Sequence, residues 1–258
     1  MMDRQQLTFL LAPVVVTVVG LLLWEAFCVA FRIEAFLLPR PSLIWKTLVE
    51  SFYPIMYNAA FTLFTTLIGF ALSVVVGMAL GIAIGAWMLA YAGLFPLLVA
   101  FNSVPKVALV PVLVIWFGTG AIPAVITAFS AAFLPIAVNV ATGLITVEPE
   151  LKDVLRALGA SKLDIIRKVG IPRSLPFFFA SLKIAIAFAF VGAVVSETVA
   201  ADRGIGYMMI AASSRFDVPL VFAGLVVVAA MGVIMYAVCA LFERRYIRWA
   251  VRGLEPVV

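Results

Sequence analysis

The chain has 258 residues, of which 66% are apolar and only 12% charged, with mean hydropathy +1.22 and net charge +5. A soluble domain is about 45–50% apolar and about 25% charged, so this composition excludes a soluble core and points to lipid as the solvent. There is no histidine and no Cys-x-x-Cys, which argues against a metal centre or a metal cofactor.

In chain order, the first apolar segment is Leu7–Phe31, too long for the core of a signal peptide and followed by no small-residue cleavage site. It reads as a retained span. Leu38-Pro39-Arg40-Pro41-Ser42 then interrupts any helix, and Leu43 to Val49 forms a short amphipathic turn on the membrane surface. Ser51 to Pro105 carries no charge, nor does Val107 to Val147. Each run exceeds the roughly 20 residues of one crossing. The remaining spans read as Ala59–Leu89, Leu98–Phe117, Ala121–Val147, Phe177–Ala200 and Leu220–Phe242. The expected fold is therefore an all-α polytopic membrane protein with six transmembrane helices. Alternation over segments of about 10 residues, which a membrane β-barrel requires, is missing. Trp87, Tyr91 and Trp116 fall where an interfacial aromatic belt would lie.

Orientation follows from the cations. Arg4, the central-loop residues Lys152, Arg156, Lys162, Arg167, Lys168 and Arg173, and the tail residues Arg244, Arg245, Arg248 and Arg252 fall on one side. Only Arg32, Arg40, Lys46, Arg203 and Arg215 fall on the other. The excess puts both termini and the central loop in the cytoplasm. The organisation expected is residues 1–56 as a first span and linker, 57–243 as the core with a cytoplasmic loop at 148–176, and 244–258 as a basic tail. The tail mixes cations with aromatics, which suits an anionic lipid leaflet and not nucleic acid. Cys28 and Cys239 lie in apolar spans and read as small buried hydrophobes, not a disulfide.

The central loop is the one sizeable polar stretch. Leu151, Val154, Leu155 and Leu158 make one apolar face of a short helix, with Lys152, Asp153 and Arg156 opposite. Gly159 is placed to end that helix in a left-handed conformation. Ser161-x-x-Asp164 restarts a second, which is expected to run to about Val169 before Gly170 and Pro172 stop it. Two helices meeting at a glycine make a knob under the membrane.

This knob, Asp153-Val154-Leu155-Arg156-Ala157-Leu158-Gly159-Ala160-Ser161 followed by Ile171-Pro172 and Leu175-Pro176, resembles the cytoplasmic signature of ABC importer permeases. That signature is Glu-Ala-Ala, three residues, Gly, and about nine residues to an apolar residue and proline. Here Asp153 replaces the glutamate, and Val154 and Leu155 replace the alanines. Pro105-Lys106-Val107-Ala108-Leu109-Val110-Pro111 up to Trp116-Phe117-Gly118 is similar to the third span of the nitrate, sulfonate and taurine branch. Leu38–Ser42 and the run from Ser196-Glu197-Thr198 to Gly204-Ile205-Gly206-Tyr207 are similar to it as well. The resemblance implies the type I importer permease fold in a bacterial inner membrane and no enzymatic activity of the chain itself. It also implies three protein partners: a separate ABC ATPase subunit docking on Asp153, Arg156, Ala157, Leu158, Gly159, Ala160 and Ser161, an extracytoplasmic solute-binding protein, and a second permease copy. The chain itself holds no Gly-x-x-x-x-Gly-Lys-Ser/Thr phosphate loop, so ATP hydrolysis needs that partner. The rival reading is a secondary transporter driven by an ion gradient. It would carry internal repeats and several paired charges at midplane, and neither is evident.

Three polar residues inside the spans are candidates for the pathway or its gate. Glu197 costs about 2.5–3.5 kcal/mol near the bilayer centre, so it either serves the pathway or sits close enough to the outer interface to meet water and Arg203. Lys106, with Asn102 close before it, either snorkels to headgroups or lines the pathway. Glu25 reads as structural. Gly77, Gly81 and Gly85 form overlapping Gly-x-x-x-Gly steps, a pattern of helix packing within or between subunits.

Overall fold

A computed structural model describes residues 4–247. No strand occurs among them, and the helices follow the apolar runs. They are α1 (Arg4–Ala30), α2 (Pro41–Glu50), α3 (Phe52–Ala86), α4 (Met88–Ser103), α5 (Lys106–Phe117), α6 (Ala121–Ile145), α7 (Pro149–Ala157), α8 (Lys162–Ile165), α9 (Ile171–Ala200), α10 (Ile205–Ser213) and α11 (Val218–Tyr246). By length and hydropathy α1, α3, α6, α11 and the continuous body from Lys162 to Ala200 can each cross a membrane, and α4 with α5 makes a sixth, bent span. The expected all-α polytopic architecture holds.

Two expected boundaries need correction. The third span does not run straight from Leu98 to Phe117: α4 starts at Met88, and α4 and α5 meet at 91° across Val104-Pro105. Pro105 has no N–H for the Phe101 carbonyl, so the helix breaks there and not at its outer end. The second helix of the central loop does not stop at Gly170 and Pro172. Ile166–Gly170 form a π turn in which the Ile171 N–H reaches the Ile166 carbonyl, and Pro172 follows it in the first turn of α9, where the widened turn accommodates its missing N–H. α8, the π turn and α9 are thus one helical rod joining the knob to the membrane core.

That core is α3, α6 and α9. Ala128, Ala132, Ile136 and Val140 of α6 pack with Leu182, Ala185, Ile186 and Ala189 of α9, all buried. α3 meets α6 through a stripe of small residues repeating every four positions. Gly77 and Gly81 face α6 so closely that a Cβ would stand 2.8 Å from the Phe133 carbonyl oxygen and 2.7 Å from that of Ala137. At Gly85 it would meet the Leu144 Cβ at 2.7 Å. The stripe extends upstream through Gly69, where a Cβ would be 2.6 Å from that of Ala128, and through Ser73, whose hydroxyl donates to the Gly69 and Phe129 carbonyls. Lipid supplies no hydrophobic drive between helices, so close backbone approach is what holds this pair. Gly81→Leu is expected to overpack the seam by about 1–3 kcal/mol and to lower the yield of monodisperse protein on size-exclusion chromatography. An exposed control, Gly93→Leu, should not, because a Cβ there meets nothing within 4 Å.

The peripheral elements are tied on by polar contacts. Glu25 of α1 accepts from the Ser42 N–H at 3.0 Å and from its hydroxyl at 2.8 Å, so it caps the start of α2. Cys28 and Cys239 are both free and buried. Of the basic tail, Arg244 and Arg245 lie in the last turn of α11, while Arg248, Trp249 and Arg252 lie outside the described residues.

Candidate functional site

The knob is built by two consecutive capping motifs. α7 ends at Ala157 with Leu158 as its cap, and Gly159 follows at φ +81°. Its N–H donates to the Arg156 carbonyl and that of Ala160 to the Leu155 carbonyl, the pair of bonds that closes a Schellman turn. Ser161 then opens α8 with a reciprocal capping box: its hydroxyl accepts from the Asp164 N–H, and the Asp164 carboxylate accepts from the Ser161 N–H. Asp153 and Arg156 pair with each other at 3.0 Å along α7. At the entrance to the knob, Glu148 bonds Arg173 of α9, and the guanidinium holds that carboxyl below the usual carboxylate range.

Turn chemistry thus fixes the shape of the knob while its apolar residues stay uncovered. Val154 is 56% exposed, Leu158 78% and Leu163 67%. Ala157 and Ala160 flank Leu158 with side chains too small to hide it. These are large apolar side chains exposed at an otherwise polar end of the chain.

The break between α4 and α5 borders a cavity of about 520 Å³. Asn102, Ser103 and Lys106 line one wall, Pro135 and Asn139 of α6 a second, and Phe188 and Val195 of α9 a third. The Lys106 ammonium folds back on the end of α4, donating to the carbonyls of Phe101 (3.2 Å), Asn102 (3.4 Å) and Val104 (3.4 Å). It also lies 4.9 Å from the centre of the Phe101 ring. The lysine therefore supplies the donor that Pro105 lacks and neutralises the negative end of α4.

Glu197 lies elsewhere, almost fully buried and outside the walls of this cavity. One carboxylate oxygen accepts from the Thr62 hydroxyl of α3 at 2.8 Å and from the Gly206 N–H at 3.1 Å. The Thr62 oxygen also accepts from the Ile205 N–H at 2.9 Å, and Asn58 accepts from the Gly204 N–H at 2.8 Å. These are free amides at the start of α10, so the carboxylate, threonine and asparagine together seat α10 on α3 and α9. Gly204 stands at φ +110°, and a Cβ on it would come 2.4 Å from the Glu197 carboxyl carbon. Arg203 does not reach Glu197: it pairs with Asp202 at 3.4 Å and lies over the Phe61 ring.

Residues 73–248 match the family described as binding-protein-dependent transport system inner membrane component. The chain belongs to that family. Among relatives, it is 29% identical to the formylaminopyrimidine transport permease ThiX of Halalkalibacterium halodurans, covering 93% of this chain and 96% of that one. It is 31% identical to the riboflavin transport system permease RibX of Chloroflexus aurantiacus, over 89% and 86% of the two chains. In structure it is similar to the MetNI methionine ABC transporter in an inward-facing conformation, with TM-score 0.60, 20% identity, and coverage of 81% of this chain and 98% of the other. The chain is accordingly the permease subunit of an ABC importer, a transport component and not an enzyme.

In this permease the structure brings Asn102 and Lys106 to one cavity, sets Glu197 apart in a polar knot, and places the Asp153–Ser161 segment at the far end of the α9 rod. Sequence reasoning missed Thr62 as the partner of Glu197 and Asn58 as that of Gly204, because a threonine or asparagine in an apolar run gives no signal of a partner 135 or more residues away. It also missed an ion pair between Lys183 of α9 and Glu243 of α11, 2.6 Å apart and largely buried. Two opposite charges inside or at the edge of late spans were the available signal. The pair ties the rod to the last helix close to the end that carries the knob.

Proposed function

We propose that this permease passes a small solute such as a sulfonate, nitrate, taurine or a thiamine precursor, and that the 148–176 loop couples that passage to a separate ATPase. The observation that carries this reading is the knob itself: exposed Val154, Leu158 and Leu163 on a corner fixed by a Schellman turn and a capping box, joined by an unbroken helix to the core. A push on the knob is delivered along α9 to the wall of the cavity. An extracytoplasmic binding protein supplies the solute, a second copy of this chain supplies the other half of the pathway, and lipid surrounds both. Residues 1–56 act as a flanking anchor to the 57–243 core. Glu197 holds α10 in place, and Asn102 and Lys106 face the solute route. The relatives' names span formylaminopyrimidine, riboflavin, aliphatic sulfonates and nitrate, so the solute is to be read from the binding protein, by direct binding measurements.

A single cysteine at Leu158, in a background free of Cys28 and Cys239, tests the coupling surface. It is expected to cross-link to the co-expressed ATPase, and a clean absence of cross-link beside a positive control on the ATPase would remove the loop from this role.

The topology proposed puts both termini and the knob in the cytoplasm. Trp87 and the knob share one end of the bundle, since Lys162 lies 5.8 Å from the Trp87 ring centre. Single cysteines at Ser161 and Arg215 in intact cells are expected to be protected from and labelled by a membrane-impermeant thiol reagent, respectively. The reverse pattern overturns the topology.

A further inference from the structure

The knob does not sit flush against the membrane core. Between them lies a second cavity, of about 250 Å³, lined by Gly85 of α3, Leu144 of α6 and Gly170. Lys152, Arg156 and Lys162 line it as well. Arg156 is paired with Asp153, but Lys152 and Lys162 form no ion pair among the described residues. The Lys162 ammonium lies over Trp87, itself partly exposed at the junction of α3 and α4. On one side the cavity includes Met88, and beside it in sequence stands Leu89; their exposures of 81% and 87% leave both apolar side chains uncovered by the rest of the chain.

We propose that this cleft is a headgroup site for an anionic phospholipid, with the phosphodiester held by Lys152 and Lys162 and the acyl chains lying on Met88 and Leu89. Two cations with no carboxylate partner at one cleft suit an anion, and the exposed apolar side chains next to them distinguish a lipid from a free ion. Basic pockets between helices at the cytoplasmic surface are suited to acidic headgroups, each basic residue adding to the attraction. The lipid would sit between the knob and the core, beside the helical rod that joins them. The proposal uses the topology above only to assign the leaflet; binding itself is read in purified protein and does not depend on it.

The test is lipid retention by the full chain, purified in mild detergent and examined by native mass spectrometry after exchange into phosphatidylglycerol or phosphatidylcholine. Wild type is expected to retain phosphatidylglycerol selectively and to lose it as salt is raised. Lys152→Gln with Lys162→Gln should weaken retention roughly tenfold or more. The corresponding double arginine variant should retain the lipid, as should Lys168→Gln, whose cation pairs with Asp164 on the same loop. Unchanged retention in a monodisperse double glutamine variant would overturn the site. So would equal retention of phosphatidylcholine, or binding of millimolar inorganic phosphate with no lipid kept.

Discussion

Gly159→Val is expected to leave a permease that inserts, folds and purifies normally but no longer holds its ATPase. The glycine stands at φ +81°, and a Cβ added there meets nothing within 4 Å. The substitution therefore clashes with no neighbour, and its whole effect falls on the backbone. A left-handed conformation costs an L-residue about 1–2 kcal/mol, and β-branching makes valine a poor occupant of it. The two Schellman bonds to the Arg156 and Leu155 carbonyls open, and Leu158 loses its fixed direction relative to Ser161. Gly159→Asn is the control, because asparagine tolerates this region and can end a helix in the same way. ATPase co-purification should be lost in the valine variant and largely kept in the asparagine one. Uptake should follow the same order. Wild-type co-purification and normal uptake in Gly159→Val would remove the knob from the coupling role.

The second large effect is expected at Glu197. Glu197→Leu leaves the Gly206 N–H without an acceptor in a buried site, at about 1–3 kcal/mol, and leaves the Thr62 hydroxyl only the Asn58 carbonyl at 3.2 Å. The amount of folded complex should fall several-fold, and α10 should become the first segment cleaved in limited proteolysis. Glu197→Gln is milder. Its carbonyl oxygen can still take both bonds, and its amide replaces the carboxylate oxygen that has no partner. Uptake per purified complex should stay close to wild type in Gln. A large fall in uptake per complex, with normal complex yield, would return Glu197 to the solute route and contradict the anchoring role.

Much of this protein was legible in the residues. Uncharged runs such as 51–105 leave no alternative to membrane-spanning helices, because backbone groups in lipid must be bonded within their own segment. The knob was legible for a related reason: helix ends are set by local chemistry, and Gly159, Ser161 and Asp164 do in the structure what their types and spacing imply. The glycine stripe also announced a close helix contact.

Tertiary structure decided the rest, wherever the outcome depends on which partner stands opposite. The sequence could not tell that Pro172 would be carried within a continuous rod instead of ending a helix, because that depends on the π turn at Ile166–Gly170 immediately before it. Nor could it say that the Pro105 break bends its span by 91° with Lys106 folded onto the freed carbonyls. Glu197 shows the limit most clearly. Its insertion cost demands compensation, and that much follows from sequence. Whether a solute route or the amide end of α10 supplies it depends on residues such as Thr62 and Gly206, which only the packing of α3, α9 and α10 brings together.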